Sequence, residues 1–163
     1  ATHITMTFLP LYFVVRGEPL LVATSIASLY LGVGVMGQLV GGHLSDRVGR
    51  RPVIVTSLLA GGLIFYGFLN SSGLVSVLLL AISGSLLFAS WSVIVVMSSE
   101  AAPANVGAVT GFMLGFSIGV GGLGALGFGG AADKLGLNLA FNLVIVSALA
   151  GGVTALLLPP SRK

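Results

Sequence analysis

Residues 42–54 read Gly-His-Leu-Ser-Asp-Arg-Val-Gly-Arg-Arg-Pro-Val-Ile, a short polar knot between two long apolar runs. The 163 residues hold seven basic and four acidic side chains, and Asp46, Arg47, Arg50 and Arg51 fall within six consecutive positions of this knot. The runs on either side are too apolar for water. A charged cluster this compact therefore predicts a loop at a membrane surface, with both flanking runs crossing the bilayer.

Composition points the same way. The chain is 56% hydrophobic and only 7% charged, with a mean hydropathy of +1.12. A soluble domain carries about 25% charged residues to cover its surface. The 25 glycines fit helices that associate in lipid by close backbone approach over small residues. The class is a polytopic α-helical membrane protein, with the lipid bilayer as its first partner. A formal net charge of +3 and a pI near 9.8 do not indicate nucleic acid, because the basic residues are few and scattered. They follow instead the bias of positive charge toward cytoplasmic loops. With no cysteine, disulfides and thiolate metal sites are excluded.

A span needs about 20 apolar residues, and six runs are expected: 1–15, 21–44, 52–69, 74–97, 106–131 and 139–158. The first run is short and lacks a signal peptide's charged start, so the chain is expected to begin inside a helix. Arg16-Gly-Glu18-Pro19, the knot, Asn70-Ser-Ser-Gly73, Pro103 with Asn105, and Asp133-Lys134 punctuate the runs. Pro52 suits the first turn of a helix. Alternate loops place Arg47, Arg50, Arg51, Arg162 and Lys163 on one side and Arg16 and Lys134 on the other. The excess predicts a cytoplasmic knot (residues 45–51) and a cytoplasmic C-terminus.

The chain also matches itself at an offset of 87. Gly32, Gly34, Gly37, Leu39, Gly42, Asp46 and Gly49 stand opposite Gly119, Gly121, Gly124, Leu126, Gly129, Asp133 and Gly136, and Arg47 stands opposite Lys134. Three spans thus repeat as the next three. An odd number of spans per unit puts the two copies in opposite orientations, an inverted 3+3 repeat of the kind found in secondary transporters.

Gly42-x-Leu44-x-Asp46-Arg47-x-Gly49-Arg50-Arg51 resembles the loop motif of the major facilitator superfamily, found between the second and third helices of each half. The resemblance covers all 163 residues as a single six-helix half, and the basic tail with the short first span suggests the C-terminal half of a twelve-helix protein. Glu100-Ala-Ala-Pro103-x-x-x-Gly107, with Gly111, Gly115, Gly119 and Gly-Gly-Leu-Gly at 121–124, is similar to the branch of fosmidomycin-resistance-type drug exporters.

The resemblance implies that Asp46 holds the cytoplasmic face closed against another helix until its charge partners rearrange. Arg47, Arg50 and Arg51 are then its partners or lipid anchors, Gly42 and Gly49 allow sharp turns or close helix approach, and Glu100 is a candidate partner for Arg50. The plainer alternative is a loop that only sets topology. Gly111, Gly115 and Gly119 make one smooth helix face, for sliding against the other half or for static packing within this one. The family lines its cavity with the first and fourth helices of each half, which here offers His3, Thr5, Thr7, Ser90, Trp91 and Ser92. An intramembrane ionisable residue is a functional candidate, although His3 lies near the start of the chain, where a surface position is also open. Trp91 either stacks on substrate or packs. His43 reads as adjacent to the loop.

Two enzyme-like motifs are rejected. Gly32-x-Gly34-x-x-Gly37 and Gly119-x-Gly121-x-x-Gly124 match a dinucleotide fingerprint but lie inside apolar spans rather than after a strand. Gly115-Phe-Ser117-Ile-Gly119 matches a nucleophile elbow without its strand-to-helix turn. The expectation is a non-enzymatic secondary active transporter of small molecules, exporting drugs or metabolites by alternating access. By resemblance it has no cofactor, a proton as coupling ion with its acid in the other half, and a place in the bacterial inner membrane. Its partners are the missing half, or a second copy, and a small-molecule substrate, with no nucleic acid. The alternative is a non-transporting half-length scaffold or partner subunit.

Overall fold

A computed structural model describes residues 2–101 and 103–157. The basic tail residues Arg162 and Lys163, and the end of the last expected span, lie outside the described residues. Six α-helices follow one another: α1 (Thr2–Val15), α2 (Leu20–Val48), α3 (Arg50–Leu69), α4 (Gly73–Ala101), α5 (Val106–Leu135) and α6 (Leu137–Ala155), with a 3₁₀ turn at Pro103–Asn105 before α5. Helices α2 to α6 are long and apolar enough to cross a membrane. In lipid the backbone must satisfy its own hydrogen bonds, which is why so apolar a chain is helical nearly throughout.

The knot is not a loop. Helix α2 runs through Asp46 and Arg47 to Val48, α3 starts at Arg50, and only Gly49 breaks the path. The cause is its backbone: φ is 108° and ψ 156°, a region open essentially to glycine alone. Its N–H still donates to the Ser45 carbonyl at 3.0 Å. Eighty-seven positions on, Gly136 does the same between α5 and α6, with φ 86° and ψ 154° and its N–H on the Ala132 carbonyl at 2.9 Å. Asp133 and Lys134 are likewise helical. Charged side chains at a helix end reach past the hydrocarbon without ending the helix, so the apolar edge and the helix edge differ.

Helix α2 lies against α4 at close range. A Cβ at Gly37 would overlap the Ser85 carbonyl, one at Gly41 would lie 2.5 Å from Ala89 Cβ, and one at Gly34 would lie 2.6 Å from the Phe88 ring. On α4, Gly84 returns the favour to Tyr30, whose ring would be 2.6 Å from an added Cβ. This is small-residue packing of the membrane kind. At the end of the bundle away from the knot, α1, α3, α5 and α6 meet in an aromatic cluster. Tyr12 lies 5.3 Å from both Phe68 and Phe141, and Phe128 lies 5.0 Å from Phe141, between ring centroids. Arg16 fastens this end: its guanidinium stands 4.6 Å over the Tyr12 ring and donates to the carbonyls of Leu69 and Ser71 at 3.2 and 3.3 Å.

Candidate functional site

Two features stand out, one at the knot end and one at mid-depth. At the knot, Arg50 is the hub. Its Nε donates to Glu100 Oε2 at 3.1 Å and its Nη2 to Glu100 Oε1 at 2.5 Å, a bidentate grip that ties α3 to the end of α4. Its Nη1 donates to Asp46 Oδ1 and to Ser45 Oγ, each at 3.0 Å. Ser45 Oγ in turn donates to the Gly42 carbonyl at 2.7 Å. The Arg50 side chain is 15% exposed, while those of Asp46 and Glu100 are 63% and 55% exposed. Water therefore reaches both carboxylates, and each bond is worth about 0.2–1 kcal/mol.

The other arginines act differently. Arg51 donates to the carbonyl of Leu156, the residue that closes α6, and so satisfies a helix end. Arg47 is exposed and has no hydrogen bond or ion pair among the described residues. Gly42 needs correction as well. It is an ordinary helical residue whose added Cβ would meet only Ser92 Oγ, at 3.8 Å. The close approach belongs to its neighbour Gly41, and the turn to Gly49. His43 is exposed on α2.

The second feature is an open cleft of about 660 Å³ between α1, α4 and α5, with α2 and α6 contributing to its walls. His3 and Trp91 both line it, ring to ring at 6.0 Å and perpendicular. His3 also faces Gly121, whose added Cβ would lie 3.3 Å from the imidazole. Gly121 is in the middle of α5, so the imidazole, itself exposed, opens into the cleft level with the middle of that helix.

The serines beside Trp91 do not join it. Ser90 is 2% exposed with its hydroxyl on the Leu87 carbonyl at 2.7 Å, and Ser92 turns toward Gly42. The helical turn of about 100° per residue carries each neighbour of Trp91 off the lining face. On α1, Thr5 is fully buried and Thr7 donates to the His3 carbonyl at 3.0 Å. Besides His3, the polar lining comes from Thr2 on α1, Gln38 on α2, Ser117 on α5 and Ser147 on α6. Gln38 escapes a reading confined to the first and fourth helices, although a lone amide in an apolar run is itself the signal.

Gly111, Gly115 and Gly119 have no atom within 4 Å of an added Cβ. They are not packed against any described residue of this chain. Around them Phe112, Phe116, Ile118 and Leu123 are 59–71% exposed.

A family model described as the Major Facilitator Superfamily matches residues 1–163. The chain is 33% identical over 146 residues to the uncharacterized MFS-type transporter YfnC of Bacillus subtilis (strain 168), covering 86% of this chain and 34% of that protein. It is 32% identical over 130 residues to the fosmidomycin resistance protein of Escherichia coli (strain K12), covering 77% of this chain and 31% of that protein. The chain thus spans about a third of the length of these curated relatives. No solved structure gives a significant match.

Proposed function

The chain belongs to the major facilitator superfamily, and on that premise we propose that it forms a six-helix half of a secondary active transporter. It exports small molecules by alternating access, driven by the proton gradient, and the knot faces the cytoplasm. The observation that carries this reading is the mid-depth cleft, beside an α5 face whose Gly111, Gly115 and Gly119 meet no described residue of the chain. A central site between two halves needs both features. They favour transport over a static scaffold, for which polar groups at that depth would only add cost.

In this reading Asp46, Arg50 and Glu100 are the cytoplasmic gate. Arg50 is mostly covered while the carboxylates remain accessible. An incoming helix end from the other half competes for Asp46 at a cost of about 1 kcal/mol or less, which suits a contact made and released in every cycle. Gly111, Gly115 and Gly119 slide against that other half, and His3 and Trp91 face the substrate.

The test is export by the natural gene product in a drug-sensitive bacterial host, with fosmidomycin as the first probe because a relative carries its name. Wild type should raise the inhibitory concentration. Asp46→Asn should abolish most of the gain at equal membrane abundance. Equal protection by the variant would reject the gate; proton-gradient-independent export would reject the coupling.

A further inference from the structure

Gln38, Ser117 and the His3 imidazole line one cleft from three different helices, and none of these three side-chain groups has a hydrogen-bond partner among the described residues. His3 is exposed in the cleft and Gln38 and Ser117 are half-exposed; the common arrangement for a hydroxyl on a helix, a bond to a carbonyl one turn back, is what Ser90 and Ser147 adopt. Ser117 does not adopt it. Three polar groups left open in one cleft are available to a ligand.

The wall specifies what that is. All three groups can donate: an imidazole N–H, an amide NH₂ and a hydroxyl. His3 is the one ionisable side chain among the described lining residues, and its charged form is a cation. Beside these donors, Trp91, Phe88 and Phe116 supply apolar and aromatic surface. Donors and rings together in one cleft fit an amphipathic molecule with an acceptor-rich head and a flat apolar body.

We propose that the cleft binds small organic anions, with Gln38, Ser117 and His3 holding the anionic head and Trp91 flanking the apolar body. The proposal rests on the reading of the cleft as the substrate site. It adds two ligand contacts, Gln38 and Ser117, on α2 and α5. In the transporter reading those helices also face the other half, so ligand and inter-half surface are contiguous along them.

Trp91 is the single tryptophan of these 163 residues, and it makes the test direct. The natural gene product is placed in lipid nanodiscs and its tryptophan emission is read as the difference from Trp91→Phe. Three nitroaromatic quenchers share one ring: 4-nitrobenzoate, 4-nitrobenzamide and 4-nitrobenzylammonium. Saturable quenching should be at least tenfold tighter for the anion than for the cation, with the amide between them. Gln38→Leu should weaken 4-nitrobenzoate about fivefold or more. His3→Gln keeps a donor without the charge, and should remove the preference for benzoate over benzamide while benzamide still binds.

A cation bound as tightly as the anion, or a preference untouched by His3→Gln, overturns the anion assignment and leaves the cleft as a binding site. Absence of any Trp91-dependent quenching, in protein that still exports fosmidomycin, overturns the cleft as the ligand site and leaves transport standing. Absence of both removes the transport reading along with it.

Discussion

Helix α2 against α4 and helix α5 against α1 use glycines at matching positions to opposite ends. Gly34 and Gly37 press on Phe88 and Ser85 so closely that a methyl group at either would collide. Their counterparts 87 positions on, Gly121 and Gly124, meet His3 and Ile4 at 3.3 and 3.4 Å from an added Cβ. The first pair closes an interface; the second leaves the imidazole room in a cleft. The two helix breaks contrast in another way. Gly49 and Gly136 share one backbone geometry, yet the charge network surrounds only the first, because Leu137 stands where Arg50 stands. Backbone and charge are therefore separable layers: glycine makes the turn, and arginine adds the latch.

The sharpest way to break this comparison is to add methyl groups in pairs. Gly37→Ala places Cβ on a backbone carbonyl that cannot rotate away, so α2 must shift off α4. We expect a loss of about 1–3 kcal/mol or more, read as a lower thermal midpoint in detergent and poor membrane yield. Gly124→Ala meets only the end of Ile4, and the helix-propensity gain of about 0.5–1 kcal/mol should leave its stability unchanged or slightly raised. Equal losses at the two sites would mean that α5 packs as tightly as α2. Gly115→Ala, with open space around it, should also preserve stability. It should lower export if that face slides on another half.

Next in size are the two breaks. Gly49→Ala and Gly136→Ala each force a side chain into a backbone region that glycine alone visits freely, costing about 1–3 kcal/mol. Because the two geometries coincide, the two losses should agree, measured as thermal midpoints side by side. A loss confined to Gly49→Ala would show that its turn depends on the charge network and not on the backbone.

How much of this was legible in the sequence differs by residue. The membrane class and the helical fold follow from apolar run lengths and scarce charge, and the Arg50–Glu100 contact follows from two helix ends meeting at one surface. The run-length reading failed at the knot, because hydropathy stops at Leu44 whereas the helix is ended by the dihedral angles of Gly49. Gly42 and Gly41 are adjacent glycines, and only the helix rotation relative to Ala89 tells which one is pressed. The same rotation decides that Trp91 faces the cleft while Ser90 and Ser92 do not. Gln38 is a different case. It carries a visible signal, a lone amide in an apolar run, but lies on α2, outside the first and fourth helices to which the family resemblance points.

The smallest expected effect isolates the latch. Glu100→Gln removes the charge from the bidentate partner of Arg50 but keeps one acceptor oxygen, and Asp46 remains to hold Nη1. Both carboxylates are exposed, so the loss should be about 0.2–1 kcal/mol at low salt. It should shrink toward zero near 1 M salt, where the screening length falls to about 3 Å. Leu137→Arg, the matching place on α6, would put a guanidinium four residues after Asp133, as Arg50 follows Asp46, but with no Glu100 at that end of the bundle, so its salt-dependent gain should be smaller than the term lost in Glu100→Gln. The comparison is a pair of thermal midpoints taken across salt for both variants. If Glu100→Gln costs much more than this and salt does not reduce it, the latch is a structural fastener too strong to open in a cycle. A small, salt-sensitive loss is what a gate held by accessible charges requires.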